Sequence, residues 1–345
     1  MPINLRSDTQ TMPTEEMLEA MRHAPLGDDV FGEDPTVNRL ELLSAQKLGK
    51  EAAMFVSSGT MGNLCALLSH TKPGEEVILE ADSHIYYYEV GGFARIAGLS
   101  PRLVPGINGI MSIENIKTAL RSKNIHYPPT GLFCIENSHN RGGGSVYSLH
   151  QMNEICQLAH GLNLKVHVDG ARIFNASVAL DVDAKELVKE ADSIMFCLSK
   201  GLSTPVGSVL VGDVSFINRA RKARKMLGGG MRQAGVIAAA GIVALEKMID
   251  RLKEDHQNAH YIGKELSETA GLDVNLESVQ TNMVYCNIGQ LKVTPENFVQ
   301  ELNKEGIQVL PVEPDKIRIV TNRHISKEDA IETVKVIKKA AANYS

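Results

Sequence analysis

The sequence has no tryptophan, no CxxC pair, no GxxxxGK[ST] loop and no GxGxxG turn. Their absence removes the zinc-site, Walker-type and dinucleotide-fold readings at once. No apolar run approaches the ~20 residues that a membrane span requires, so no membrane partner is expected. The opening Met1-Pro2-Ile3-Asn4-Leu5-Arg6 lacks the apolar core of a signal peptide. A formal net charge of -5 supplies no basic excess for a nucleic-acid partner. The five cysteines (Cys65, Cys134, Cys156, Cys197, Cys286) are scattered, odd in number and mostly set in apolar runs. Buried free thiols in a reducing cytoplasm are therefore expected, not a disulfide framework. Internal repeats and low-complexity tracts are also missing.

What is present is a long alternation. At 345 residues the chain is too long for one small core. From Ala52 onward, short apolar runs read as strands: Ala53–Val56, Val77–Leu79, Leu132–Ile135, Leu164–Val168, Ile194–Leu198 and Gly207–Val211. Helical stretches such as Met61–His70 and Leu149–His160 separate them. This order predicts an α/β fold, with a mostly parallel mixed sheet covered by helices on both faces and its site at the carboxyl ends of strands. Arg232–Glu254 reads as one long helix bridging two domains. Beyond it, Asn282–Ile288, Pro295–Glu305, Ile307–Leu310, Lys316–Val320 and Ser326–Ala342 suit a small α/β domain. The division expected is a large domain over 1–250 and a small C-terminal domain over 251–345. The first forty residues, mainly polar, are expected to lie across the rest of the protein or a partner subunit.

Two of the apolar runs deliver a charged residue to a strand end. Val166 and Val168 lead to Asp169, and Ile194–Cys197 lead to Ser199-Lys200-Gly201. A lone lysine there is usually solvated, and Asp-Gly alone is a common turn. Together, a carboxylate and an amine on adjacent strand ends are what a protein needs to hold pyridoxal 5'-phosphate. The amine bonds the cofactor aldehyde, and the carboxylate keeps the ring nitrogen protonated. Ser199 places a hydroxyl beside the amine, and Gly201 leaves room for a ring. Arg172, three residues after Asp169, could project a fork toward a carboxylate, or the two could simply pair with each other.

Ser57-Ser58-Gly59-Thr60-Met61-Gly62-Asn63 lies between a strand and a helix, where backbone N–H groups and the helix dipole suit a phosphate. The competing reading is a plain helix start capped by Ser58 or Thr60. His84 follows the strand Val77–Leu79 and could stack on a ring or be a structural histidine. His126 sits on a loop, and His139 stands at another strand end. The triplet Gly228-Gly229-Gly230 needs a backbone reason, and Arg232 beyond it could reach a phosphate. Arg318, between Ile317 and Ile319 in a late strand, is placed to clamp a carboxylate.

These motifs together resemble the threonine aldolases, pyridoxal-phosphate enzymes of fold type I. The likeness runs through Leu5-Arg6-Ser7-Asp8-Thr9, Gly27-Asp28-Asp29-Val30-Phe31-Gly32, Asp34-Pro35-Thr36-Val37-Asn38 and Gly59-Thr60-Met61-Gly62-Asn63. It continues in His167-Val168-Asp169-Gly170-Ala171-Arg172-Ile173-Phe174, Ser199-Lys200-Gly201-Leu202 and Gly228-Gly229-Gly230-Met231-Arg232-Gln233. The resemblance implies that Lys200 anchors the cofactor, Asp169 meets its ring nitrogen and His84 stacks on it. Gly59 and Thr60 would hold the phosphate, with Arg232 nearby, and Ser199 would also contact the cofactor. Ser7, Arg172 and Arg318 would bind the amino-acid carboxylate, and His84 or His126 would handle the β-hydroxyl. It also implies a homotetramer, a dimer of dimers with sites shared between subunits, and cleavage of β-hydroxy-α-amino acids to glycine and an aldehyde. Asn322 departs from the histidine expected there. The rival readings are another lyase or racemase reaction of the same cofactor, or a fold relative without catalysis.

Overall fold

The computed structural model describes residues 2–344. Its centre is a seven-stranded sheet in the order Ala52–Val56, Ser208–Gly212, Ser193–Cys197, Lys165–Asp169, Thr130–Glu136, Glu76–Glu80, Ser100–Val104. Ser208–Gly212 runs antiparallel to both neighbours, and the remaining pairs are parallel. Ser193–Cys197 and Ser208–Gly212 are buried along their whole length, which is why they read as unbroken apolar runs rather than alternating ones. The six strands expected from the sequence are present with ends shifted by a residue or two. The edge strand Ser100–Val104 was not expected, because Pro101 and Arg102 give it a loop's composition, and an edge is where a sheet accepts proline.

Helices cover the sheet on both faces. Gly59–His70 starts at Ser58, whose hydroxyl accepts the Met61 N–H, so Ser58 and not Thr60 is the cap. Leu149–Gly161 opens on a capping box made by Ser148 and Gln151. The single helix expected over Arg232–Glu254 is instead two, Gly235–Lys247 and Leu252–Ser267. No glycine or proline marks the break at Met248–Arg251. The second helix turns so that Leu252 enters the main core and Asp255 is buried against Arg251 (2.7 Å). The early segment also contributes more than a covering. Met17, from the helix Glu15–Arg22, and Val37 and Leu40, from the helix Pro35–Lys47, belong to the main core.

A second hydrophobic cluster is built from Leu252–Ser267, Pro295–Lys304, Lys327–Ala342 and the three-stranded sheet Met283–Asn287, Lys316–Val320, Leu310–Glu313. The chain's early strand Ile3–Asn4 pairs in parallel with Ile307–Gln308, and Leu5 is buried in this second cluster. Ser7 and Asp8 are thereby carried into the cleft between the two cores. All five cysteines are buried and free, as expected. Among the described residues, no helix is long and apolar enough to cross a membrane.

Candidate active site

Asp169 ends its strand at the carboxyl edge of the sheet and is 1 % exposed. Its Oδ1 accepts the Ala171 N–H (3.1 Å) and its Oδ2 accepts from Asn63 Nδ2 (2.8 Å). Each oxygen retains a lone pair, so the carboxylate can take one more N–H. The other hydrogen of Asn63 Nδ2 goes to Glu89 Oε1 (2.8 Å). Behind Asn63 runs a directional chain. His167 Nε2 lies 3.1 Å from Asn63 Oδ1, His167 Nδ1 lies 2.9 Å from Ser193 Oγ, and His70 Nε2 lies 2.7 Å from the same hydroxyl. Burial pushes the His167 pKa down to about 4 and that of His70 to about 3. Both rings are therefore neutral, each donating from Nε2, and the amide of Asn63 is held with its NH2 toward the carboxylates.

Lys200 lies just past the adjacent strand, in a tight turn leading to Ser208–Gly212. Leu198 and Gly207 exchange a backbone bond across that turn, and Ser203 N–H donates to the Lys200 carbonyl (2.8 Å). Gly207 has φ +111, and an added Cβ would meet Phe55 at 2.5 Å, so this corner requires glycine. Thr11 Oγ also donates to the Lys200 carbonyl (2.8 Å). The Lys200 ammonium itself has no hydrogen-bond or ion-pair partner among the described residues.

His84 begins the short helix His84–Tyr87, and its Nδ1 lies 3.0 Å from Glu89 Oε1. Burial lowers the His84 pKa, but the Glu89 bond and the nearby Asp169 and Glu136 charges outweigh it, and the net shift is upward. Glu89 is buried and its own pKa is raised, first by burial, despite the His84 and Asn63 bonds. One atom each of His84, Glu89 and Asp169 lie within 4.8 Å of one another.

At the start of the helix Gly59–His70, Ser58 caps Met61, which leaves the N–H groups of Gly59 and Thr60 open toward solvent. An added Cβ at Gly229 would collide with the Met61 sulfur, so the glycine triplet packs against this helix start. Arg232, just beyond, is half exposed and pairs with Asp28 (3.0 Å). On the other side of the cleft, Arg318 Nη1 donates to Asn140 Oδ1 (3.3 Å) and Nη2 to the Arg6 carbonyl (3.1 Å), while Nε is buried without a partner. Arg172 pairs with neither Asp169 nor solvent. Its Nε and Nη2 both donate to Asp8 (2.7 Å each), leaving Nη1 for a ligand. Ser7 accepts from Thr9 N–H (3.2 Å) within its own turn. Asn322 is buried, donating to the Asn4 carbonyl (3.4 Å) and accepting from His324 N–H (3.1 Å).

The structure thus sets His84 beside Asp169, brings Arg172 and Lys200 to Asp8 next to Ser7, holds Arg318 on the Arg6 carbonyl, and places Gly59, followed by Thr60, against Cys197 at the end of the strand that leads to Ser199. His126 is not among them. It is exposed on the loop preceding Thr130–Glu136, at the amino end of a seven-residue strand whose carboxyl end carries the site. That is roughly 20 Å of extended chain away. Sequence reasoning passed over Asn63, Asp8 and His167, although all three lie inside motifs that it singled out. Glu89 gave no signal beyond its place in Tyr88-Glu89-Val90. The donor set fits pyridoxal phosphate: an unpaired amine, a buried carboxylate with a free lone pair, and open N–H groups at a helix start.

Known proteins resemble this chain in sequence and in fold. Residues 4–288 match the Beta-eliminating lyase family. The chain is 43% identical to Low-specificity L-threonine aldolase 1 of Arabidopsis thaliana, over 98% of its own length and 96% of that protein. It is also 43% identical to the Low specificity L-threonine aldolase of Escherichia coli K12, over 96% of each. The solved structure of Leishmania major threonine aldolase superposes with a TM-score of 0.86 at 20% identity, covering 99% of this chain and all of that one. The fold is that of the fold type I pyridoxal-phosphate enzymes. The chain belongs to the beta-eliminating lyase family and, within it, to the low-specificity L-threonine aldolases.

Proposed function

We propose that this protein is a carbon–carbon lyase that cleaves L-threonine, L-allo-threonine and related β-hydroxy-α-amino acids to glycine and an aldehyde. The observation that carries the reading is the placement of the Lys200 amine and a buried, relay-held Asp169 at adjacent strand ends. Pyridoxal phosphate supplies the electron sink that takes the charge left on Cα when the Cα–Cβ bond breaks. Lys200 would anchor it covalently, Asp169 would meet its ring nitrogen, and His84 would lie against its ring. Gly59 and Thr60 would hold its phosphate, with Ser199 and Arg232 nearby.

Ser7, Arg318 and the free Nη1 of Arg172 bind the substrate carboxylate, which fixes the Cα–Cβ bond for cleavage. Asp8 keeps the Arg172 fork in place. The His84–Glu89 pair takes the β-hydroxyl proton, because Glu89 at Nδ1 orients the ring with Nε2 free. His126 can enter a site only from another subunit, and with a homotetramer of shared sites it would do so. The boundary between the large and small domains is placed at 250/251, with Leu5 crossing into the small core. Five reduced thiols support a cytoplasmic location, where glycine formation and threonine breakdown are the two uses of the reaction.

Borohydride reduction of the cofactor-loaded protein tests the cofactor site. The reading expects the visible absorption to bleach and the cofactor mass to stay on the peptide containing Lys200. Modification of a different lysine would overturn it.

A further inference from the structure

Glu136 ends the strand beside Asp169 and is 5 % exposed, yet no step above uses it. Its two oxygens are committed to two backbone groups of different loops. Oε2 accepts the His84 N–H (2.6 Å), and Oε1 accepts the Asn140 N–H (2.8 Å). The first bond caps a helix. Ser83, at the N-cap position of His84–Tyr87, makes no capping bond, and its hydroxyl is buried without a partner. A carboxylate from another strand therefore holds the N–H that leads the helix carrying the imidazole.

The second bond reaches the opposite wall of the cleft. Asn140 accepts from Arg318 at its Oδ1 (3.3 Å) and from the Tyr285 hydroxyl at its carbonyl (3.2 Å). Both donors come from the three-stranded sheet of the second core. His139, fully buried, sets its Nε2 3.8 Å from Glu136 Oε2 and 3.0 Å from Glu80, while its Nδ1 accepts the Gly142 N–H (3.0 Å). With Nδ1 accepting, the ring proton sits on Nε2, close to both carboxylates but in hydrogen-bond geometry with neither.

We propose that Glu136 is a positioning residue that sets His84 and Arg318 in one frame, tying the group above the ring to the group that binds the substrate carboxylate. Two simultaneous acceptors are needed for this. A glutamine at 136 has one acceptor oxygen, and its NH2 would face an N–H. The inference rests on the roles assigned to His84 and Arg318 above.

Double-mutant cycles on the cofactor-loaded enzyme, with L-threonine as substrate, test it. Glu136→Gln should lower kcat by about 10- to 100-fold, the scale of a misplaced catalytic group, and raise KM. In a His84→Ala background the kcat effect should shrink to less than about threefold, and in an Arg318→Ala background the KM effect should shrink likewise. The same factors in every background would overturn the coupling, as would unchanged kcat and KM in Glu136→Gln. If Glu136→Gln fails to load cofactor, Glu136→Asp is carried through the same cycles. If neither loads, amide exchange in the unmodified protein decides: comparable protection of the His84 and Asn140 N–H groups supports the link, and rapid exchange at either one contradicts it. A parent enzyme inactive on threonine would instead refute the proposed function, which separates the two failures.

Discussion

At the scale of single residues, the site is governed by who holds whom. Glu89 raises the His84 pKa, so Glu89→Gln should let it fall. With neutral His84 as the base, the acid limb of the kcat/KM profile then moves to lower pH. A limb that stays put or moves up would contradict the pairing. Asp8 carries a different consequence. Burial raises its pKa, but Arg172 and Lys200 more than reverse this and hold it below the usual carboxylate range. The contribution of the pair is therefore complete above the ordinary value of about 4 and is lost as pH falls through the lower folded value. Asp8→Asn leaves the Arg172 charge buried without its partner, at a cost of roughly 3–5 kcal/mol at neutral pH. Denaturant melts should show that gap narrowing in acid. Lys200 and Asp169 were legible in the sequence because each follows an apolar strand. Asp8 and Glu89 were not, because their importance lies in contacts with Arg172 and His84, distant in the chain or across a turn.

At the scale of elements, close approach decides most of the architecture around the site. The helix Gly59–His70 lies so near Ser193–Cys197 that a Cβ at Gly62 would sit 2.5 Å from Met195 Cγ. Gly62→Ala should therefore destabilise the fold by about 1–3 kcal/mol and weaken phosphate binding by shifting the helix start. Thermal melts with and without cofactor measure both effects, and an unchanged midpoint would contradict the packing. Apolar runs bounded by turns made the central strands readable. The edge strand Ser100–Val104 and the break at Met248–Arg251 were hidden, the first by Pro101 and the second because helical composition continues through it. A break made by packing of Leu252 and Asp255 leaves no local signature.

At the scale of the whole molecule, one cleft is assembled from two cores and an early segment that belongs to both. The helices Glu15–Arg22 and Pro35–Lys47 pack on the large core, while Ile3–Asn4 and Leu5 join the small one. Leu5→Ala should cost about 2–5 kcal/mol and raise KM, since Ser7 and Asp8 reach the cleft through it. His126 makes the complementary case for assembly. Mixed oligomers formed from inactive Lys200→Ala and impaired His126→Ala subunits should regain activity if His126 serves a neighbour's site, and an absence of recovery would argue against sharing. The most direct test of the whole account is the product balance from L-threonine. The purified, cofactor-loaded protein, given no keto acid, should release glycine and acetaldehyde in equal amounts, and Lys200→Ala should release neither. Formation of 2-oxobutyrate and ammonia in their place would contradict aldol cleavage.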